Sequence, residues 1–268
     1  MGSDSERELF MKLQGLKKSF GHIQALRGIS FDMYANEVTA IVGDNGAGKS
    51  TLIKIIAGVI EPDEGEIVIN GNTYNKLTPK QAIRLGISTV YQDLALVDCR
   101  DVSTNLFIGR EPLIAGFIVN KRLMNRKSEE IFKRLKINIP SIFSQVRYLS
   151  GGQRQGVAIA RSVNQQGRMI IFDEPTAAMG VKESAQVLNI IRHLGDSGYA
   201  VLVISHNLHH IFKIADRICV IRNGSLVGDF KTAHTDPDEI VQYITGSYLN
   251  VQEKGSSHKP GDIAKYAV

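Results

Sequence analysis

Apolar residues along this chain fall into short runs, and the spacing within those runs is of two kinds. Glu37–Val42 holds Val38, Ala40, Ile41 and Val42, while Met169–Phe172 and Ala200–Ile204 are apolar throughout. Unbroken runs this short predict buried strands. Leu9–Leu13, Ile29–Tyr34, Glu66–Asn70 and Ile87–Tyr91 predict further strands. Arg217–Arg222 and Leu226–Phe230 flank Asn223-Gly224, a strong hairpin turn. Helical spacing appears at Val187, Ile190, Ile191 and Leu194, and Leu52–Ala57 opens another helix. Thr78-Pro79 predicts a helix start with Thr78 as N-cap, and Asp236-Pro237-Asp238-Glu239 reads as a capping box.

Between Asp98 and about residue 166 the pattern is helical, and no strand is expected. Asp101–Ile108, Lys121–Leu135 and Gly151–Gln165 are the predicted helices, separated by Pro112, Gly116 and Pro140. This stretch predicts a helical lobe inserted between two strands of the main sheet. Alternating strands and helices on either side, in a chain of this length, predict one α/β domain or one domain plus a lobe. Residues 1–8 and 250–268 are polar and expected to be loose.

Composition adds bounds rather than a function. A hydrophobic content of 43% and a charged content of 22% are those of an ordinary globular protein. No apolar run is long enough to span a bilayer and no apolar leader precedes Leu9, so at a membrane other chains are expected to supply the membrane part. The net charge is +5. Its densest stretch holds Lys121, Arg122, Arg126, Lys127, Lys133, Arg134 and Lys136, which reads first as a solvated helix face. Cys99 and Cys219 make neither a disulfide framework nor a metal site, and a reducing, cytoplasmic setting follows as the default.

Chemistry begins after Val42. Gly43, Asp44, Asn45, Gly46, Ala47, Gly48, Lys49, Ser50 and Thr51 fit G-x-x-x-x-G-K-[ST], between a predicted strand and a predicted helix. Glycines let successive N–H groups curl inward, and the helix N-terminus adds positive partial charge for an anion. Lys49 has the reach for β- and γ-phosphates, and the Ser50 hydroxyl suits Mg²⁺. The plain alternative is a glycine-rich turn before a buried helix; strand and helix together favour a nucleoside triphosphate.

Met169–Phe172 ends in Asp173-Glu174-Pro175. A buried strand delivers both acids to its carboxyl edge, where open α/β sheets bind ligands. Asp173 suits a Mg²⁺ ligand, and Glu174 suits a base for the attacking water. Taken alone, such a pair is usually just a strand end. Ser150, Gly151, Gly152 and Gln153, after Leu149, open another helix with Ser150 as N-cap. That is either a second anion site or an ordinary capped helix, and spacing alone does not decide.

Leu149-Ser150-Gly151-Gly152-Gln153, continuing through Arg161, resembles the signature motif of the ABC transporter ATPases. Three further residues fall in the family's order. Gln92 resembles the Q-loop glutamine, implying a catalytic and metal-binding role; Phe20 resembles the aromatic that stacks on adenine; His206 resembles the switch histidine. Singly, these would read as a surface glutamine, a core phenylalanine and a structural histidine. His209 and His210 lack such support and read as helix-surface residues. The resemblance covers residues 9–249 and implies a phosphate-loop NTPase with a RecA-like core sheet, an antiparallel β subdomain and the helical lobe.

It also implies ATP and Mg²⁺ as cofactors and a head-to-tail homodimer. Each ATP would lie between Gly43–Thr51 of one copy and Ser150–Gln153 of the other, whose helix brings about half a unit of positive charge. Many family members carry Asp where this chain has Gly180. With no carboxylate there, the cross-subunit contact falls to backbone or another residue. Tyr91–Asp98, Asn105–Glu111 and Gly180 are similar to the ATP-binding subunits of bacterial monosaccharide importers, of the ribose or fructose type. The implied partners are integral membrane permease subunits and, indirectly, a periplasmic sugar-binding protein. The implied place is the cytoplasmic face of the inner membrane, as a peripheral subunit. The alternative is a soluble ABC ATPase acting on ribosomes or nucleic acid. It lacks support from a second ATPase domain, a coiled-coil insertion or an aromatic stacking platform, so no nucleic-acid partner is expected. A non-catalytic ATP-dependent dimerisation module is disfavoured by Glu174 and His206.

Overall fold

The computed structural model describes residues 7–165 and 167–247. The N-terminal part runs β1 (Leu9–Phe20), β2 (Ile23–Tyr34), β3 (Glu37–Val42), α1 (Lys49–Ile56), β4 (Glu64–Ile69), β5 (Asn72–Tyr74), α2 (Pro79–Arg84) and β6 (Ile87–Val90). Next come α3 (Val102–Phe107), β7 (Leu113–Ile114), β8 (Ile118–Val119), α4 (Lys121–Arg134) and α5 (Gly151–Asn164). The chain then returns through β9 (Met169–Asp173), α6 (Val181–Asp196), β10 (Ala200–Ile204), α7 (Leu208–Ile214), β11 (Arg217–Arg222), β12 (Ser225–Lys231) and α8 (Pro237–Thr245).

Six strands form the central sheet in the order β12-β11-β3-β10-β9-β6. All neighbours are parallel except the β11–β12 pair. Its central strands β3 and β10 are buried at every position, and most of those positions are apolar. Side chains alternate across the sheet, and here both faces are covered. Val38, Ala40, Val42, Ile170, Phe172, Val201 and Val203 pack into one core with α5, α6 and α7. Ile41, Met169, Ile171, Leu202 and Ile204 pack into the other with α1 and the antiparallel sheet β2-β1-β4-β5. A strand buried on both sides loses its period-two signal and reads as an unbroken run.

Helix starts follow local capping chemistry. Thr78 and Gln81 make a reciprocal capping box at α2, with Pro79 in the first turn. On α4, Met124, Ser128, Ile131 and Phe132 are buried, whereas Lys121, Arg122, Arg126, Lys127, Lys133 and Arg134 all face water. The basic stretch is therefore a solvated helix face, as its spacing predicts.

Three expectations are corrected. First, β1 runs on to Phe20 rather than stopping at Leu13. Lys17 and Lys18 are paired at 2.6 and 2.7 Å with Glu64 and Asp63, and Leu16 is the one buried apolar residue beyond Leu13, so this half shows no apolar run. Second, the segment between Asp98 and residue 166 does contain strands, the two-residue hairpin β7–β8. Its residues are exposed on both faces, so no alternation marks it. Third, Asp236 caps α8 by accepting from the Glu239 N–H at 2.9 Å, but the Glu239 carboxylate accepts from Thr235 Oγ1 at 2.6 Å instead of closing a box. The tail from Asn250 onward, most of residues 1–8 and the last residues before 250 lie outside the described residues.

Candidate active site

Strand order decides what meets. β3, β10, β9 and β6 are consecutive neighbours and parallel, with Ile41 beside Ile204, Ile204 beside Asp173 and Phe172 beside Val90. Their carboxyl ends thus bring together four segments far apart in sequence. These are the glycine loop after β3, His206 after β10, Asp173-Glu174 at the end of β9, and Gln92 after β6. A cleft of ≈ 480 Å³ opens there, lined by Asn45, Gly46, Gly48, Lys49, Ser50, Thr51, Gln92, Asp173 and Glu174 among others.

The loop is held in an anion-binding shape by glycine and by its neighbours. Gly48 is the N-cap of α1 at φ 109°, with no side-chain cap, so the first-turn N–H groups are free of a competing hydroxyl. A Cβ at Gly48 would stand 2.5 Å from the Ala25 carbonyl oxygen. Ala47 accepts from the Gly224 N–H at 3.0 Å and Gly224 in turn accepts from the Arg27 N–H at 2.8 Å, fixing the loop between β2 and the β11–β12 turn. Lys49 is buried and its ammonium donates to the carbonyls of Gly43 at 2.7 Å and Asp44 at 2.8 Å. Burial pushes its pKa down, partly offset by Glu174, Asp44 and Asp173. Such a cation gains strongly from an anionic ligand. Ser50 is exposed.

Asp173 has the converse problem. Burial and the adjacent Glu174 push its carboxyl above the usual range, while Lys54 and Lys49 oppose the shift. Glu174 adopts a left-handed backbone, φ 49°, which L-residues rarely hold. Its N–H donates to Ile204 at 2.9 Å and its carboxylate lies 3.0 Å from His206 Nδ1. The glutamate is largely shielded, at 19% side-chain exposure, and the histidine is open, at 74%. The pair is a shielded acid with an exposed ring against it.

Not every anticipated residue gathers here. Phe20 is exposed at the end of β1, its ring 5.7 Å from Lys18 Nζ, and is not among the residues lining the cleft. Its neighbours Ile23, Gln24, Ala25 and Arg27 are, together with Asn223 and Gly224. Only the Asn223-Gly224 turn left a trace in the sequence. Ser150, Gly151, Gly152 and Gln153 also lie elsewhere. Ser150 and Gln153 form a reciprocal capping box, and Gly151 faces a second groove shared with Gln92, Glu174 and the segment 175–179. The glycine loop and the signature helix of one chain do not share a cleft.

Two further side chains, Arg161 and Asn105, make contacts that the sequence did not predict. Arg161 on α5 donates to the carbonyls of Leu94 at 2.6 Å and Ala95 at 2.8 Å. The buried Asn105 accepts from the Val97 N–H at 2.8 Å and donates back to its carbonyl at 3.1 Å. Together they tie the loop after Gln92 to the helical lobe. His210 is not a plain surface residue either. It is half-buried, and its Nδ1 lies 3.1 Å from Thr176 Oγ1.

A glycine loop at a helix start, two acids at a neighbouring strand end and a histidine on the strand between them define a phosphate-loop ATP-hydrolysing cassette. Comparison with known proteins narrows this. The ABC transporter family matches residues 26–177. A xylose/arabinose import ATP-binding protein of Sulfolobus acidocaldarius is 42% identical over 247 residues, covering 91% of this chain and 98% of the relative. A fructose import ATP-binding protein of Rhizobium meliloti is 41% identical over 249 residues, covering 90% and 95%. A ribose import ATP-binding protein of Rubrobacter xylanophilus is 37% identical over 94% of this chain, which spans only 50% of that relative. Among solved structures, a nucleotide-free ATP-binding cassette from an ABC transporter superposes with TM-score 0.77 at 25% identity, over 93% of this chain and all of that one. A dimeric bacterial ABC transporter cassette gives TM-score 0.69 at 25% identity, over 83% and 98%. The chain belongs to the ABC transporter family.

Proposed function

We propose that this chain is the ATP-hydrolysing subunit that powers import of a monosaccharide through a membrane permease. The observation that carries this reading is near full-length similarity to two sugar import ATP-binding proteins. No helix among the described residues is long and apolar enough to cross a membrane. The import role of those relatives supports a peripheral subunit on the cytoplasmic face of permease subunits, with a periplasmic sugar-binding protein delivering the sugar. The sugar import relatives do not favour the ribosome or nucleic-acid alternative.

Within the site, Gly43–Thr51 cradle the phosphates and Lys49 meets the β- and γ-oxygens. Glu174 accepts the proton of the attacking water, and His206 holds the γ-phosphate or that water. Ser50, Gln92 and Asp173 fit Mg²⁺, a hard cation that takes few protein oxygens beside phosphate. They supply a hydroxyl, an amide and one carboxylate on a single cleft, and the unfavourable charge on Asp173 is what a cation would relieve. Mg²⁺ bound there neutralises charge building on the phosphate oxygens. Phe20 stacks on adenine from the rim. Gly43–Thr51 and Ser150–Gln153 lie apart within one chain, which supports a head-to-tail homodimer in which the N-terminus of α5 reaches the partner's γ-phosphate.

The test is reconstitution with a permease in proteoliposomes, assayed against xylose, arabinose, fructose and ribose with their binding proteins. ATP turnover should rise with one sugar and be accompanied by its uptake. Turnover indifferent to permease but stimulated by ribosomes or RNA would reverse the reading.

A further inference from the structure

The segment from Pro175 to Gly180 joins the end of β9 to α6, with Pro175 buried and Met179 packed against the core, but few polar contacts hold it. Its backbone makes two turn bonds, Ala177 N–H to Glu174 at 3.1 Å and Met179 N–H to Thr176 at 3.4 Å, and the Gly180 carbonyl accepts from Ser184 N–H at 2.9 Å as α6 begins. Glu174 and Ala178 both sit at positive φ, 49° and 58°, conformations that persist only where surroundings impose them. Gly180 caps α6 without a side chain. Among the described residues, the one side-chain hydrogen bond made anywhere in 175–180 is Thr176 Oγ1 to His210 Nδ1, at 3.1 Å.

His210 is well placed for such a task. It lies in the first turn of α7, whose N-cap Asn207 accepts the His210 N–H at 3.1 Å, and His206 immediately precedes that cap. Of the three histidines on this short helix and its entry, His206 and His210 meet Glu174 and Thr176, two residues apart on the opposing segment. The two contacts differ in exposure. His206 is exposed and its ring is tied only at Glu174, whereas His210 is half-buried, and burial, then Lys213 and His209, push its pKa down. A neutral imidazole offers one donor and one acceptor nitrogen, either of which a threonine hydroxyl can meet.

We infer that His210 is a positioning residue for hydrolysis: bonded to Thr176, it holds the 174–180 segment so that Glu174 keeps its orientation when His206 turns away to the nucleotide. The inference rests on Glu174 being the general base. It also gives Gly180 a context. This chain lacks a carboxylate there, and the segment takes its order from α7 instead.

The experiment is a double-mutant cycle in the full chain, reading kcat and KM for ATP with melting temperature as a fold check. Thr176→Val and His210→Ala should each lower kcat roughly 3- to 10-fold, the worth of one net hydrogen bond. KM should stay within about twofold, since neither side chain lines the phosphate cleft. The double variant should be no slower than the slower single, and His210→Asn and Thr176→Ser should recover most of the rate. Unchanged kcat in the isosteric Thr176→Val, or losses that multiply in the double variant, would overturn the inference. Glu174→Gln is run alongside as the reference. Full turnover in that variant would remove the base assignment and this inference with it, whereas a dead Glu174→Gln beside an active Thr176→Val removes the inference alone.

Discussion

Gly48→Ala separates two physical reasons for glycine in the phosphate loop, with Gly46→Ala as its control. Both glycines hold left-handed backbone, φ 109° and 81°. An alanine in either place costs about 1–3 kcal/mol for the conformation alone. At Gly46 nothing lies within 4 Å of an added Cβ, so that cost is the whole effect. At Gly48 the Cβ would meet the Ala25 carbonyl oxygen at 2.5 Å and Leu26 Cδ2 at 2.9 Å. The carbonyl belongs to β2, which cannot yield cheaply, and overpacking of this kind adds about 1–3 kcal/mol. At about 2–4 °C per kcal/mol for a chain near this size, Gly48→Ala should melt about 2–12 °C below Gly46→Ala. Displacing Gly48 also displaces the N–H groups of the α1 entry, so ATP affinity should fall with stability, measured by titration of a fluorescent ATP analogue. Equal melting temperatures and equal affinities for the two variants would refute the close-approach argument and leave only backbone conformation.

Other predictions test the charges. Lys49→Ala should weaken ATP binding roughly 10- to 100-fold, the range for losing a hydrogen-bonded charge, as read by equilibrium titration. The raised pKa of Asp173 carries a definite sign. Above the ordinary carboxylate pKa the unfolded chain releases this proton while the native state keeps it, so nucleotide-free stability falls as pH rises toward the native pKa. Asp173→Asn should abolish that fall and raise Tm by about a degree or two at neutral pH, while turnover is lost; calorimetry across pH reads the first and a phosphate-release assay the second. Gly180→Asp places a capping carboxylate at an extended N-cap, φ −68° and ψ 165°. The gain should be a few tenths of a kcal/mol in urea denaturation, limited by Glu183 Oε2 at 4.0 Å from the new Cβ.

Sequence legibility followed burial. β3 and β10 were readable to the residue because both faces are covered, and a short, mostly apolar run has few other meanings. The glycine loop and the Asp173-Glu174 pair were readable because their chemistry is local: nine consecutive residues, then an acid pair at a strand end. What escaped depends on distant partners. Thr176 and His210 are 34 residues apart, and Arg161 reaches the Leu94 carbonyl across 67. No periodicity encodes such contacts. The rim formed by Ile23, Gln24 and Arg27 was missed for the opposite reason, since exposed residues on a hairpin look like any other surface until the fold places them over a cleft.

The central claim is that each ATP site is completed by a second copy. Specific ATPase activity measured across the monomer–dimer concentration range tests it most directly, with Glu174→Gln and ATP followed by size-exclusion chromatography as the companion. Specific activity should climb with protein concentration and level off as dimers saturate, and the glutamine variant should accumulate as an ATP-bound dimer. Constant specific activity over that range, with Glu174→Gln remaining monomeric in saturating ATP, would mean that a single chain holds the whole site.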